Sequence, residues 1–100
     1  MRNYEIMFIV KPTISEDDIK KTADNFKTTL ESNGAKVTGT DAWGQRTLAY
    51  EMKKGSEVFK SGYYFVYQVE ANDDKGIKEF DRLAGISSDI IRHLIIKKED

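Results

Sequence analysis

Tyr63-Tyr64-Phe65-Val66-Tyr67-Gln68-Val69-Glu70 sets aromatic and β-branched residues side by side, a composition that fits a pleated, half-buried surface better than a helix. Both faces of such a strand are apolar, Phe65, Tyr67 and Val69 on one and Tyr64 and Val66 on the other. A strand that is hydrophobic on both sides belongs in the middle of a sheet. Upstream, Lys53 to Ser61 contains Gly55 and stops before Gly62, which reads as the tip of a hairpin. Its partner is the long extended stretch Ala35 to Met52. Val37 holds an odd position there, whereas Leu48, Tyr50 and Met52 hold even ones, so the buried face changes phase between them. One added residue restores it, and Gly39 and Gly44 are the least strained places for such a bulge.

Further out, Tyr4, Ile6, Phe8 and Val10 alternate with Glu5, Met7 and Ile9 in a second central strand, Asn3 to Lys11, closed by Pro12. Ser15 followed by Glu16, Asp17 and Asp18 starts a helix, because the hydroxyl accepts from an orphan amide and the carboxylates complement the dipole. Ile19, Ala23, Phe26 and Leu30 form its apolar stripe, and Gly34 ends it. Downstream of the opening strand, Asn72, Asp73 and Asp74 cap a second helix with Ile77, Phe80, Leu83 and Ala84 on one face and Gly85 at its end. Ile90 to Lys98 is the last strand, with a charged end in Lys97, Lys98, Glu99 and Asp100. The order strand, helix, strand, strand, helix, strand predicts an α+β ferredoxin-like βαββαβ sandwich occupying residues 1–100 as a single domain. Right-handed crossovers place both helices on one face of a four-stranded antiparallel sheet. If Ile6, Phe8, Phe65, Tyr67, Val69, Leu94 and Ile96 meet the helices, then Met7, Ile9, Tyr64, Val66, Ile91 and Ile95 form an uncovered apolar patch for a partner. The alternatives are that the two faces are reversed or that long side chains such as Glu5, Gln68 and His93 shield the patch.

One hundred residues with 39% hydrophobic and 11% aromatic content are enough for one core. Sixteen Lys and Arg against seventeen Asp and Glu give a net charge of -1, so any affinity for a polyanion is local rather than a property of the whole chain. The absence of Cys excludes disulfides, thiol catalysis and Cys-ligated zinc, and a lone His93 gives no sequence basis for a transition-metal cage. The longest apolar run, Ile6 to Val10, is far short of the roughly 20 residues that span a bilayer, so no membrane partner is expected.

Enzyme readings find no support. Lys11-Pro12-Thr13-Ile14 after the first strand has no glycine and lacks one amide, so it is no phosphate cradle. His93 has no nucleophile at a recognisable spacing, and Glu16, Asp17 and Asp18 point in different directions on a helix. No small-molecule substrate or cofactor is expected. Gly62-Tyr63-Tyr64-Phe65-Val66-Tyr67 resembles the central strand of the RNA-recognition motif, yet the first strand offers Glu5, Met7 and Ile9 in place of stacking rings.

Positive charge concentrates on the hairpin at Arg46, Lys53, Lys54 and Lys60, opposed by Glu51 and Glu57, with Arg2 and Arg92 placed to extend the rim. The interleaved Trp43, Tyr50 and Tyr63 suit contacts to phosphates and occasional stacking on nucleotides. The run Trp43-Gly44-Gln45-Arg46-Thr47-Leu48-Ala49-Tyr50-Glu51-Met52-Lys53-Lys54 resembles the W-G-x-R-x-L-A-Y-x-I-x-K signature of the bacterial small-subunit ribosomal protein numbered six. Met1-Arg2-Asn3-Tyr4-Glu5 is similar to that family's opening, and Ile91-Arg92-His93-Leu94-Ile95-Ile96-Lys97 to its final strand.

The resemblance implies a cytoplasmic, non-catalytic component of the small ribosomal subunit. It would bind the central domain of the small-subunit ribosomal RNA together with the small-subunit ribosomal protein numbered eighteen. Positions matching the family's RNA-facing pattern are Arg2, Tyr4, Arg46, Lys53, Lys54 and Arg92, with Arg46 and Arg92 on phosphate oxygens and Tyr4 positioning the end of the first strand. The open sheet and the edge of the second strand would receive the partner protein. Four departures stand out: Glu51 where the family often has Pro, Gln45 where a second Arg is frequent, a longer hairpin tip from Lys54 to Ser61, and no acidic tail after Asp100. A protein-interaction or ligand-sensing module that dimerises through its open sheet is the alternative reading. It gives no physical reason for the basic-aromatic run.

Overall fold

The computed structural model describes residues 2–98; the opening Met1, the end of the charged terminus at Glu99 and Asp100, and the question of a tail lie outside the described residues. The elements run β1 (Arg2–Val10), α1 (Glu16–Ser32), β2 (Lys36–Lys54), β3 (Glu57–Ala71), α2 (Lys75–Ile86) and β4 (Ile90–Lys98). They form one four-stranded antiparallel sheet in the order β2-β3-β1-β4 with both helices on one face, which is the ferredoxin-like arrangement read from the sequence.

Local chemistry sets the helix ends. The Asp18 amide donates to Ser15 Oγ at 3.2 Å, and Gly34 turns the chain away from α1 at φ +87°, a conformation glycine adopts without strain. At α2 the Asp74 side chain makes no capping bond; instead Asp73 Oδ1 accepts from the Lys75 amide at 3.0 Å. This helix runs one residue beyond Gly85, to Ile86. Gly76 lies where α2 meets the end of α1, and a Cβ there would sit 3.2 Å from the Leu30 carbonyl oxygen. Close approach of the two helices explains a glycine that propensity alone disfavours.

Phe8 is the centre of the helix-side core. It is fully buried, its ring 5.2 Å from Phe26 and 5.2 Å from Phe65, with Tyr67 and Phe80 completing the cluster. Burial of each such side chain contributes about 1.5–3 kcal/mol. Tyr67 spans the layers, its hydroxyl donating to the Ala23 carbonyl of α1 at 2.8 Å.

The last strand departs from the expected phase. Ile95 packs with the helix-side core, while Leu94 and Ile96 are 47% and 46% exposed on the other side. The cause is a register shift where Ile9 faces Arg92 but Val10 faces Ile90, leaving Ile91 as an extra residue that reverses the alternation. His93 therefore lies opposite Phe8 on the helix side, where it meets the Phe80 ring edge-on and Asp81 Oδ1 at 2.7 Å, and it does not shield the open face.

The second departure is the hairpin. β2 and β3 continue to Lys54 and Glu57, so the tip shrinks to Gly55-Ser56, with φ +63° at Gly55 alone, the pattern of a type II′ turn. Register shifts fall at Val37/Gly39 and Ala42/Gly44, next to the two glycines singled out above, and at a third place, Thr47/Met52. There β2 advances five residues while β3 advances two.

Candidate nucleic-acid and partner interface

That excess of chain folds β2 over the open face. Leu48 and Phe59 enter a second buried cluster with Ile9 and Ile91, flanked by Met52 and Tyr64. The edge strand β2 thereby touches β4, the opposite edge of the same sheet. At the junction Arg92 Nη1 donates to the Tyr50 hydroxyl at 2.7 Å, beside a cleft of about 340 Å³ lined by Tyr50, Glu51, Met52, Lys53, Ile91 and Arg92.

The expected patch is consequently smaller. Ile9, Val66 and Ile91 are 2%, 5% and 7% exposed, the first and last beneath the hairpin, so they offer no free surface. Ile95, as described above, faces the helices. At the other end Gln68 Nε2 donates to Glu5 Oε1 at 3.4 Å and Lys98 Nζ to Gln68 Oε1 at 2.7 Å, so these polar side chains occupy that part of the open face. Between the two coverings remains a strip of Met7, Leu94, Ile96 and the half-buried Tyr64.

The cations separate into two places. Arg46 pairs in register with Gly62 and Arg92 with Ile9, both at the Val10 end of the sheet, while Lys53 and Lys54 continue the same hairpin toward its tip. Arg2 faces Ala71 at the opposite end, roughly 24 Å away along the strand, and does not extend this rim. Tyr4 is 5% exposed and part of the helix-side core, so it presents no ring to a ligand; the alternation of β1 sends it inward with Ile6 and Phe8. Among the described residues Arg46, Lys53, Lys54 and Arg92 form no ion pair with a carboxylate. Glu51, which stands within the basic run, is held by Lys60 at 3.7 Å. The Arg46 side chain is steadied by its Nε, which donates to the Trp43 carbonyl at 3.2 Å.

Sequence reasoning had the basic run and its aromatics. It missed the tie between Tyr50 and Arg92, 42 residues apart, for which the only signal was the phase change in β2.

Fold and surface together define a ferredoxin-like α+β protein whose exposed features are a narrow apolar strip and a bulged cationic hairpin at one end. The family model described as Ribosomal protein S6 matches residues 3–97, and the chain belongs to that family. Among solved structures it is similar to the 30S ribosomal protein S6 from Thermotoga maritima, at 26% identity and a TM-score of 0.88, over 97% of this chain and 87% of that one. The family is a structural, cytoplasmic one of the small ribosomal subunit. Among the described residues no helix is long and apolar enough to cross a membrane.

Proposed function

We propose that this chain acts, as one folded unit of residues 1–100, by binding the central domain of small-subunit ribosomal RNA jointly with the small-subunit ribosomal protein numbered eighteen, without catalysis. The observation that carries the reading is the set of cations that have no carboxylate partner among the described residues, on and beside the bulged hairpin: Arg46, Lys53, Lys54 and Arg92. Arg46 and Arg92 present forked guanidinium donors to phosphate oxygens, and the two lysines add longer-range attraction. Tyr50 supports this arrangement by holding Arg92 in place. The strip of Met7, Leu94 and Ile96 receives the partner protein, whose own charge supplies the affinity that a net charge of -1 withholds.

The test is a filter-binding titration over salt with and without the partner protein. The full chain alone binds weakly, and the pair binds tightly. Arg46→Ala lowers the affinity of the pair and flattens the log-log salt slope by about one. A slope that does not move rejects the Arg46 contact, and tight binding that ignores the partner rejects the joint surface.

A further inference from the structure

Trp43 is 45% exposed, yet its position is fixed from three sides. Its ring lies nearly parallel to that of Tyr64, 6° between planes and 6.0 Å between centroids. Its indole Nε1 donates to Asp41 Oδ2 at 2.9 Å. Its backbone is the residue set out of register between Ala42 and Gly44, where Gly44 takes φ +77°. Bulges of this kind re-aim a side chain, and this one lays a large hydrophobic ring against Tyr64 and leaves much of it in water.

We infer that the Trp43–Tyr64 stack is a platform for one unpaired RNA base, with Arg46 beside it on the adjoining phosphate. The inference rests on the RNA-binding reading above and specifies its single-stranded component. The indole's only donor is already occupied by Asp41, so the exposed part of the ring offers a π surface and no directed hydrogen bond. A flat aromatic ligand matches that surface, and the immobilised ring has little rotamer freedom left to lose on binding. The Arg46 guanidinium, tethered to the Trp43 carbonyl and without a carboxylate partner among the described residues, supplies the charge that a nucleotide's phosphate needs and an apolar protein side chain would not. The platform selects unpaired over paired RNA and does so with little preference among bases, because every base has a π face.

Trp43 is the only tryptophan in the chain, so its fluorescence reports the contact directly. The full-length protein is titrated at low salt with a riboadenylate octamer, with an abasic octamer of equal charge, and with a blunt RNA duplex. The riboadenylate octamer quenches Trp43 emission and binds roughly 5- to 100-fold more tightly than the abasic one. Trp43→Ala erases that difference, Trp43→Phe retains part of it, and Arg46→Ala weakens both octamers while the quench at saturation persists. Equal affinity of wild-type protein for the riboadenylate and abasic octamers overturns the platform whatever the variants do. If it does so while the salt-dependent binding of the partnered protein is intact, the phosphate reading of the hairpin stands and only the base-stacking role falls. If neither the free nor the partnered protein binds RNA, both fall together.

Discussion

Arg92 Nη1 and the Tyr50 hydroxyl, 2.7 Å apart, join the two outermost strands of the sheet, β2 and β4, which share no hydrogen-bonded ladder. The bond closes one end of an otherwise open face and fixes a guanidinium at the edge of the cationic hairpin. Because both groups are exposed, the bond contributes modestly, up to about 1 kcal/mol.

Tyr50→Phe is therefore expected to lower global stability by less than about 1 kcal/mol in urea while speeding amide exchange between residues 48 and 52. Native-state hydrogen exchange distinguishes the two effects. Unchanged exchange in that segment shows that the hairpin is held down by Leu48 and Phe59 alone.

Gly62 is buried against β1, and a Cβ added there would lie 2.4 Å from Ile9 Cγ2 and 3.3 Å from the Val10 carbonyl oxygen. Ile9 is β-branched and 2% exposed, so it has no free rotamer into which to retreat. Gly62→Ala is expected to cost about 1–3 kcal/mol, read as a lower urea midpoint at unchanged slope. A midpoint equal to that of the parent protein would show that β1 and β3 separate at no cost.

Tyr67 is buried, and desolvation, with a smaller contribution from the negative charge of Asp24, pushes its phenol up from 10.0 to about 12. As pH rises, the unfolded chain loses this proton first. The stabilisation is thus complete below pH 10 and disappears as pH climbs toward 12, an effect of order 2 kcal/mol. Relative to the parent, Tyr67→Phe is expected to be about 1 kcal/mol less stable at neutral pH, for want of the bond to Ala23, and to lose less stability between pH 10 and 12. Parallel stability curves for the two proteins across that interval would contradict the assignment.

Two substitutions on the open face should behave oppositely. Leu94→Glu places a carboxylate at a position 47% exposed, and is expected to change stability by less than about 1 kcal/mol while weakening association with the partner protein. Val66→Glu buries a charge at a position 5% exposed, and is expected to cost several kcal/mol or to prevent folding. Thermal denaturation of both variants checks the pair, and comparable melting temperatures would mean that Val66 is not buried as described.

The helices were legible in the sequence because their signals are local. Ser15 with its acidic followers, Gly34, and the stripe of Ile19, Ala23, Phe26 and Leu30 each act within a turn or two of chain. The central placement of β1 and β3 was legible for a similar reason, since a strand apolar on both faces has few other places to go. The phase of β4 was not, because Leu94, Ile95 and Ile96 are equally apolar and one extra residue at Ile91 decides which of them turns inward. The alternation of β1 already set Tyr4 in phase with Ile6 and Phe8, against the role the resemblance implied for it, but only strand pairing showed that Arg2 lies at the far end of the sheet from Arg46 and Arg92.

Alternation and capping by themselves determined six elements, their order and the basic-aromatic content of the second strand, all of which depend on neighbours a few residues away. What the open face looks like was decided only in three dimensions. The surplus of β2 over β3 between Thr47 and Met52 has no meaning until both strands are paired, and only then does it carry Leu48 over Ile9 and Ile91 and bring Tyr50 to Arg92. Packing across the whole width of the sheet, a sum of contacts between residues far apart in the chain, turned a bare apolar face into a narrow strip with a cationic end.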